Sequence, residues 1–167
     1  GTERSAVWRS TSGATPPKKV RVADDSMTAD EAYRLACEGT ALLWRGDFHN
    51  ARQLGTAVAA RATRKPRKTS TDPATAFHLH RQTQSRRASI LGMLLVPFDA
   101  DQTIPLRRAP DVRQAVHEAY GPIDQPTVTT LRDLLGAIGA YEWQKKGVEI
   151  PALGARIHPG YGVFSPI

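Results

Sequence analysis

The chain is poor in the residues that most often carry chemistry. Its single cysteine, Cys37 of 167 residues, leaves no thiol for an internal disulfide and fits a reducing compartment. No stretch approaches the roughly 20 apolar residues that a membrane span requires, and no basic segment followed by an apolar one marks a secretory leader. A cytoplasmic protein is expected. Thirteen glycines never fall into G-x-G-x-x-G or G-x-x-x-x-G-K-[ST], so both common phosphate-cradling loops are missing. Gly160-Tyr161-Gly162 precedes a strand-like stretch instead of joining a strand to a helix, and reads as a turn. His78 and His80 are two apart, which puts their rings on different faces of a helix, and no cysteine pair or H-E-x-x-H completes a metal set. Asp99 and Asp101 read as solvated turn residues, and Cys37 reads as a packing residue. Arg45-Gly46-Asp47 is too short a motif to carry a function. No catalytic, cofactor-binding or metal-ligating residue is assigned.

What the chain has is positive charge, and it is unevenly placed. The formal net charge is +7. Residues 1–70 hold 13 Lys/Arg against 7 Asp/Glu, while residues 71–128 balance at 6 against 6 and residues 129–167 stand at 4 against 3. The excess centres on R-A-T-R-K-P-R-K-T-S at 61–70, five bases with no acid before Asp72. A concentrated positive charge favours polyanions through salt-dependent, sequence-independent contacts. Arg61, Arg64, Lys65, Arg67 and Lys68 form the candidate nucleic-acid track, extended by Arg86 and Arg87. Arg45, Phe48 and His49 add hydrogen-bonding and stacking groups at a helix entrance, a mixture that RNA-binding surfaces use. A solvated charge run on an exposed loop explains the same residues without a ligand.

Helical punctuation is clear along much of the chain. Thr28 followed by Glu31 is a capping-box pattern, and Ala32, Leu35 and Ala36 give the first helix its stripe, with Gly39 closing it. Ala41–Trp44 reads as a further short apolar turn, helical in character. Asp47 or Asn50 caps a second helix striped by Ala51, Leu54, Val58 and Ala62. Pro73 or Thr75 opens a third, running through Arg86 and Arg87 to the apolar patch 90–96 and ending at Pro97. A fourth spans Asp111–Tyr120, and Thr129 or Thr130 caps a fifth that carries Leu131, Leu134, Leu135 and Ile138 and ends at Gly147. Val148–Ile150 and Tyr161–Phe164 have strand character, and neither has an obvious hairpin partner across the long, irregular P-A-L-G-A-R-I-H-P-G. The expected fold is therefore mainly α: a compact bundle of about five helices with a short strand-like C-terminal segment. Residues 1–26 form a flexible or surface-wrapping arm pinned by Trp8, residues 27–147 the helical domain, and residues 148–167 a strand-like connector.

Two stretches carry a resemblance. M-T-A-D-E-A-Y-R-L-A-C-E-G-T-A-L-L-W-R-G-D-F-H-N-A-R-Q-L at 27–54 and A-Y-E-W-Q-K-K-G-V-E-I-P-A-L-G-A-R-I-H-P-G-Y-G-V-F-S-P at 140–166 resemble the N-terminal region of bacterial class I S-adenosylmethionine-dependent methyltransferases, in the small-domain group acting on rRNA or protein. The resemblance implies a helical region preceding a doubly wound α/β catalytic domain, with Y-G-V-F-S-P as the strand leading into it. The family's glycine-rich cofactor loop and its Asn/Asp-Pro-Pro-Tyr motif do not occur here, so no catalytic position maps onto this sequence. Its implied partners are a C-terminal methyltransferase domain and an rRNA or ribosomal substrate. Its implied cofactor, S-adenosylmethionine, belongs to the parent protein and not to this stretch.

Two other readings compete. A helical interaction or scaffolding module would stabilise the catalytic domain and touch no nucleic acid. A helix-turn-helix DNA reader fits poorly, because Gly121–Val128 is longer than the usual tight turn and T-L-R-D-L-L-G-A-I-G offers few long polar side chains.

Overall fold

A computed structural model describes residues 5–64, 70–160 and 162. It overturns the expectation of a mainly α bundle. Five helices are present among the described residues, but so are seven strands, and β1–β5 form a five-stranded sheet ordered β1-β5-β4-β3-β2. The elements in chain order are β1 (Val7–Trp8), β2 (Lys19–Ala23), α1 (Ala29–Cys37), β3 (Thr40–Trp44), α2 (Phe48–Thr63), α3 (Pro73–Leu91), β4 (Leu94–Phe98), α4 (Arg113–Tyr120), β5 (Thr127–Thr130), α5 (Leu131–Lys146), β6 (Val148–Ile150) and β7 (Ala155–Ile157). The chain divides into two units, one of residues 16–95 with 106–108 and one of residues 1–15, 96–105 and 109–167.

In the first unit, β2 pairs with β3, and β3 with the start of β4, all in parallel. Ala41, Leu42 and Trp44 are buried on β3, which corrects the helical reading of 41–44. A parallel strand covered on both faces reads as a continuous apolar run, and so short a run carries no period to tell strand from helix. The same ambiguity explains why the patch 90–96 read as helix. The α3 helix ends at Leu91 with Gly92 as its cap, and Leu94–Phe98, including Pro97, is a fully buried strand. By contrast β2 is exposed except at Ala23. Thr28 caps α1 by accepting from the Glu31 N–H (3.2 Å), and Ala32, Leu35 and Ala36 are its buried stripe. Ala51, Leu54 and Val58 bury one side of α2. α3 lies against α2 and α1, yet only Ile90 of its 19 residues is buried.

In the second unit β1 pairs in parallel with β5, and α4 packs on α5. Val116, Leu134 and Thr129 are fully enclosed. Thr130 caps α5 by accepting from the Asp133 N–H (3.0 Å). Trp8 is held by its indole N–H, which donates to the Ala14 carbonyl (2.7 Å).

The C-terminal expectation also changes. Val148–Ile150 does have a hairpin partner: β6 pairs antiparallel with β7, joined through a 3-10 turn over Pro151–Leu153 and the left-handed Gly154 (φ 58°). The partner lay inside the stretch that looks irregular in sequence. Arg156 donates to the Lys146 carbonyl (3.1 Å), and the His158 ring lies 2.6 Å from the Gln144 carbonyl, so two basic side chains satisfy orphan carbonyls at the end of α5. Tyr161, Val163 and Phe164 of the second strand-like stretch lie outside the described residues.

Candidate functional site

The residues singled out from sequence fall into two groups at opposite ends of α2. Arg45 and His49 stand at its N-terminal entrance, and Arg61 and Arg64 at its C-terminal exit. His49 and Arg64 are fifteen positions apart, about 22 Å along the axis. The structure does not bring these ends together.

The entrance is a closed polar node. β2 and β3 run parallel and end in register at Ala23 and Trp44, so the loops leaving them, Asp24-Asp25 and Arg45-Gly46-Asp47, share one edge. The Arg45 N–H donates to the Ala23 carbonyl (2.8 Å). Asp47, 1% exposed, caps α2 by accepting from the His49 N–H (2.8 Å). Its other carboxylate oxygen accepts from Arg108 Nε (2.6 Å), with Arg107 Nε at 3.8 Å. Asp25 accepts from the Asp47 N–H (2.8 Å) and the Asn50 amide (3.0 Å) and lies 3.5 Å from Arg107. The Phe48 N–H donates to the Arg107 carbonyl (2.9 Å), and Trp44 Nε1 donates to the Asp47 carbonyl (2.9 Å). Arg108 takes a left-handed backbone (φ 52°). Its guanidinium holds the Asp47 carboxyl below the usual carboxylate range, against the opposing effect of burial, and the His49 N–H adds to the depression.

Open α/β sheets commonly receive nucleotides outside the carboxyl ends of their strands. This edge does not offer a phosphate cradle. A Cβ added at Gly46 would stand 2.4 Å from Asp25 Oδ1 and 2.8 Å from its backbone nitrogen. The protein's own carboxylate already fills the space that a glycine loop would leave for a phosphate. Arg107 and Arg108 offset Asp25 and Asp47, so the node spends its charge internally. His49 is likewise engaged, with Nε2 3.0 Å from the Gln53 amide nitrogen.

The exit of α2 and the outer face of α3 are different. Arg61 pairs with Asp30 (2.6 Å) and also donates to the Ala57 carbonyl (3.2 Å), so it is only partly available. Arg64 is the exposed C-terminal cap of α2. Lys65, Arg67 and Lys68 lie outside the described residues. Along α3 there is no Asp or Glu, while Arg81, Arg86, Arg87, His78 and His80 are all present. Arg81 and Arg86 are exposed, and neither forms an ion pair among the described residues. Arg87 is half-buried, and its Nε is enclosed without a hydrogen-bond partner among the described residues. Arg86 lies close enough to Tyr33 to oppose the upward shift that the Cys37 hydrogen bond and burial impose on that phenol.

Two groups went unrecognised in the sequence. The Asp25–Asp47–Arg107–Arg108 node joins Asp47 to Arg108 across 61 positions and Asp25 to Arg107 across 82, and nothing local announces it. Arg81 and the exposed Phe77 were legible as part of a helix but not as part of a face. A further open cleft in the second unit is lined by Gln102, Arg113, Gln114, His117, Glu118 and Tyr141. Its one arginine is already held by Asp111 through two bonds (3.0 and 2.7 Å), and a Tyr141–Gln114 hydrogen bond spans it.

Among the described residues no three His, Cys, Asp or Glu side chains gather as a metal set, and no helix is long and apolar enough to cross a membrane. Compared with known proteins, the sequence matches no family model and no curated protein.

Proposed function

We propose that this chain positions an RNA-containing substrate, through the exposed basic side chains of α3 and the end of α2, as an accessory unit of a cytoplasmic S-adenosylmethionine-dependent methyltransferase. The observation that carries the RNA reading is α3 itself. A 19-residue helix with one buried residue contributes little core, and a helix polar all round is ordinarily laced with opposite charges or bridges other parts. This one has bases and no acids. The exposed guanidiniums of Arg81 and Arg86, without an ion pair among the described residues, suit phosphate oxygens, and releasing counterions from RNA drives such binding. The methyltransferase assignment rests on the likeness of residues 27–54 and 140–166. It makes the chain non-catalytic alone, with chemistry supplied by a separate domain.

Each half has its own test. For RNA, the affinity of the 167-residue chain for a ribosomal RNA fragment is compared with that of R64Q/R81Q/R86Q in low salt. A loss of about tenfold or more, with folding unchanged, is expected; equal affinities would remove the role. For the enzyme, the coding sequence after Ile167 should contain the glycine-rich loop and the Asn/Asp-Pro-Pro-Tyr motif, and a continuation with neither contradicts it. Should the chain bind no RNA but stabilise its catalytic domain, the scaffolding reading takes its place.

A further inference from the structure

We propose that Phe77 is a stacking platform and that the partner of the α3 face is single-stranded, with unpaired bases, and not duplex RNA. This rests on the polyanion reading above and adds to it which form of nucleic acid is held.

Phe77 is 58% exposed, in the second turn of α3. Burial of a large aromatic normally contributes 1.5–3 kcal/mol, roughly, to folding, and most of that is forgone here. Two charged or polar side chains meet the ring. Arg81, one turn on, sets Cζ 5.8 Å from the ring centroid, and the His78 ring meets it edge-on at 6.1 Å and 67°. Residues four apart share a helix face, so ring and guanidinium form one outward surface in which a flat group is flanked by a cation. Nucleobases have π-faces and their backbone is anionic, and bases stack on aromatic rings and on arginine planes. Helices α2 and α3 are packed together, and Arg64 caps the C-terminal end of α2.

Two competing partners fit less well. A membrane-surface helix needs a broad apolar face of Trp, Phe and Leu, whereas the exposed residues around Phe77 include His78, Arg81, Gln84 and Ser85. A-form duplex RNA hides its base faces within the stack, and its deep major groove is closed to side chains. One ring on a convex helix would find nothing there to stack on.

The test measures binding of the full chain, F77A and F77W to a uridine-rich RNA, to the same RNA annealed to its complement, to an abasic oligomer of equal length, and to vesicles of phosphatidylserine and phosphatidylcholine. The single strand should bind more tightly than the duplex. F77A should weaken single-strand binding about tenfold, F77W should restore it, and neither should alter the duplex or abasic affinity. Unchanged single-strand binding by F77A, or equal losses on the abasic oligomer and duplex, would overturn the proposal while leaving the RNA reading intact. Vesicle binding that depends on Phe77 without RNA binding would overturn both, as would no binding to any probe.

Discussion

Arg108 and Arg81 are both exposed on the surface of the same unit, yet they do opposite things. Arg108 turns inward to a buried carboxylate 2.6 Å away. Arg81 turns to no acid among the described residues and lies over a phenyl ring. The first arginine is part of the fold, and the second is free to meet something else. Counting positive charge from sequence treats them alike. Pairing separates them, because a cation whose charge is already offset by a carboxylate has little left for a phosphate, while an unpaired one at the surface keeps its full electrostatic reach.

The contrast can be broken most strongly at Gly46. G46V forces a side chain against the Asp25 carboxylate and backbone, and a loss of about 3 kcal/mol in chemical denaturation is expected. Wild-type stability would show that the node is looser than its distances imply. R108Q comes next. It leaves Asp47 enclosed with its strongest partner gone, so melting should fall by roughly 5 °C, while RNA affinity stays within twofold or so. An RNA defect larger than the stability defect would erase the distinction between the two arginines.

Acid gives a milder probe of the paired charges. Arg113 holds Asp111 down to about 2 from 3.8, and Asp24, Asp47, Asp72 and Asp101 are likewise lowered by their hydrogen-bond partners. Each carboxylate binds its proton less readily folded than unfolded. Their stabilisation is therefore fully present above the unfolded value and is lost as the pH falls from near 4 toward 2. Melting temperature should hold on descending to pH 5 and drop steeply below 4; a flat profile to pH 2 would contradict the pairings. Arg61 gives the smallest effect. It sits between the classes, tied to an Asp30 whose side chain is 87% exposed, and R61Q should cost under about 1 kcal/mol and shift RNA affinity only a few-fold.

Much of the helical framework was legible in the sequence because caps are local. Thr28, Asp47, Pro73, Thr130 and Gly147 mark ends that depend on neighbours within a few residues. The sheet was hidden for a physical reason. Ala41–Trp44 and Leu94–Phe98 are buried too evenly to show alternation, and Lys19–Ala23 is an exposed edge strand without a core side to define. Parallel pairing is also nonlocal, so no turn signal joins β2 to β3 as one joins a hairpin. The β6–β7 hairpin was missed because its turn is a 3-10 segment with a left-handed Gly154, not a two-residue loop. Of the candidate site, the excess of charge was visible. Which charges were already paired was not, since Asp47 meets Arg108 across 61 residues.

The division between the two sets of arginines is tested most directly by the salt dependence of RNA binding. Affinity for a single-stranded RNA is measured between 50 and 200 mM salt for the wild type, R108Q and R64Q/R81Q/R86Q. The wild type and R108Q should share one slope of log affinity against log salt, and the triple variant should have a slope shallower by about 2, the loss of three phosphate contacts. Equal slopes for all three proteins, or a shallower slope for R108Q alone, would contradict it.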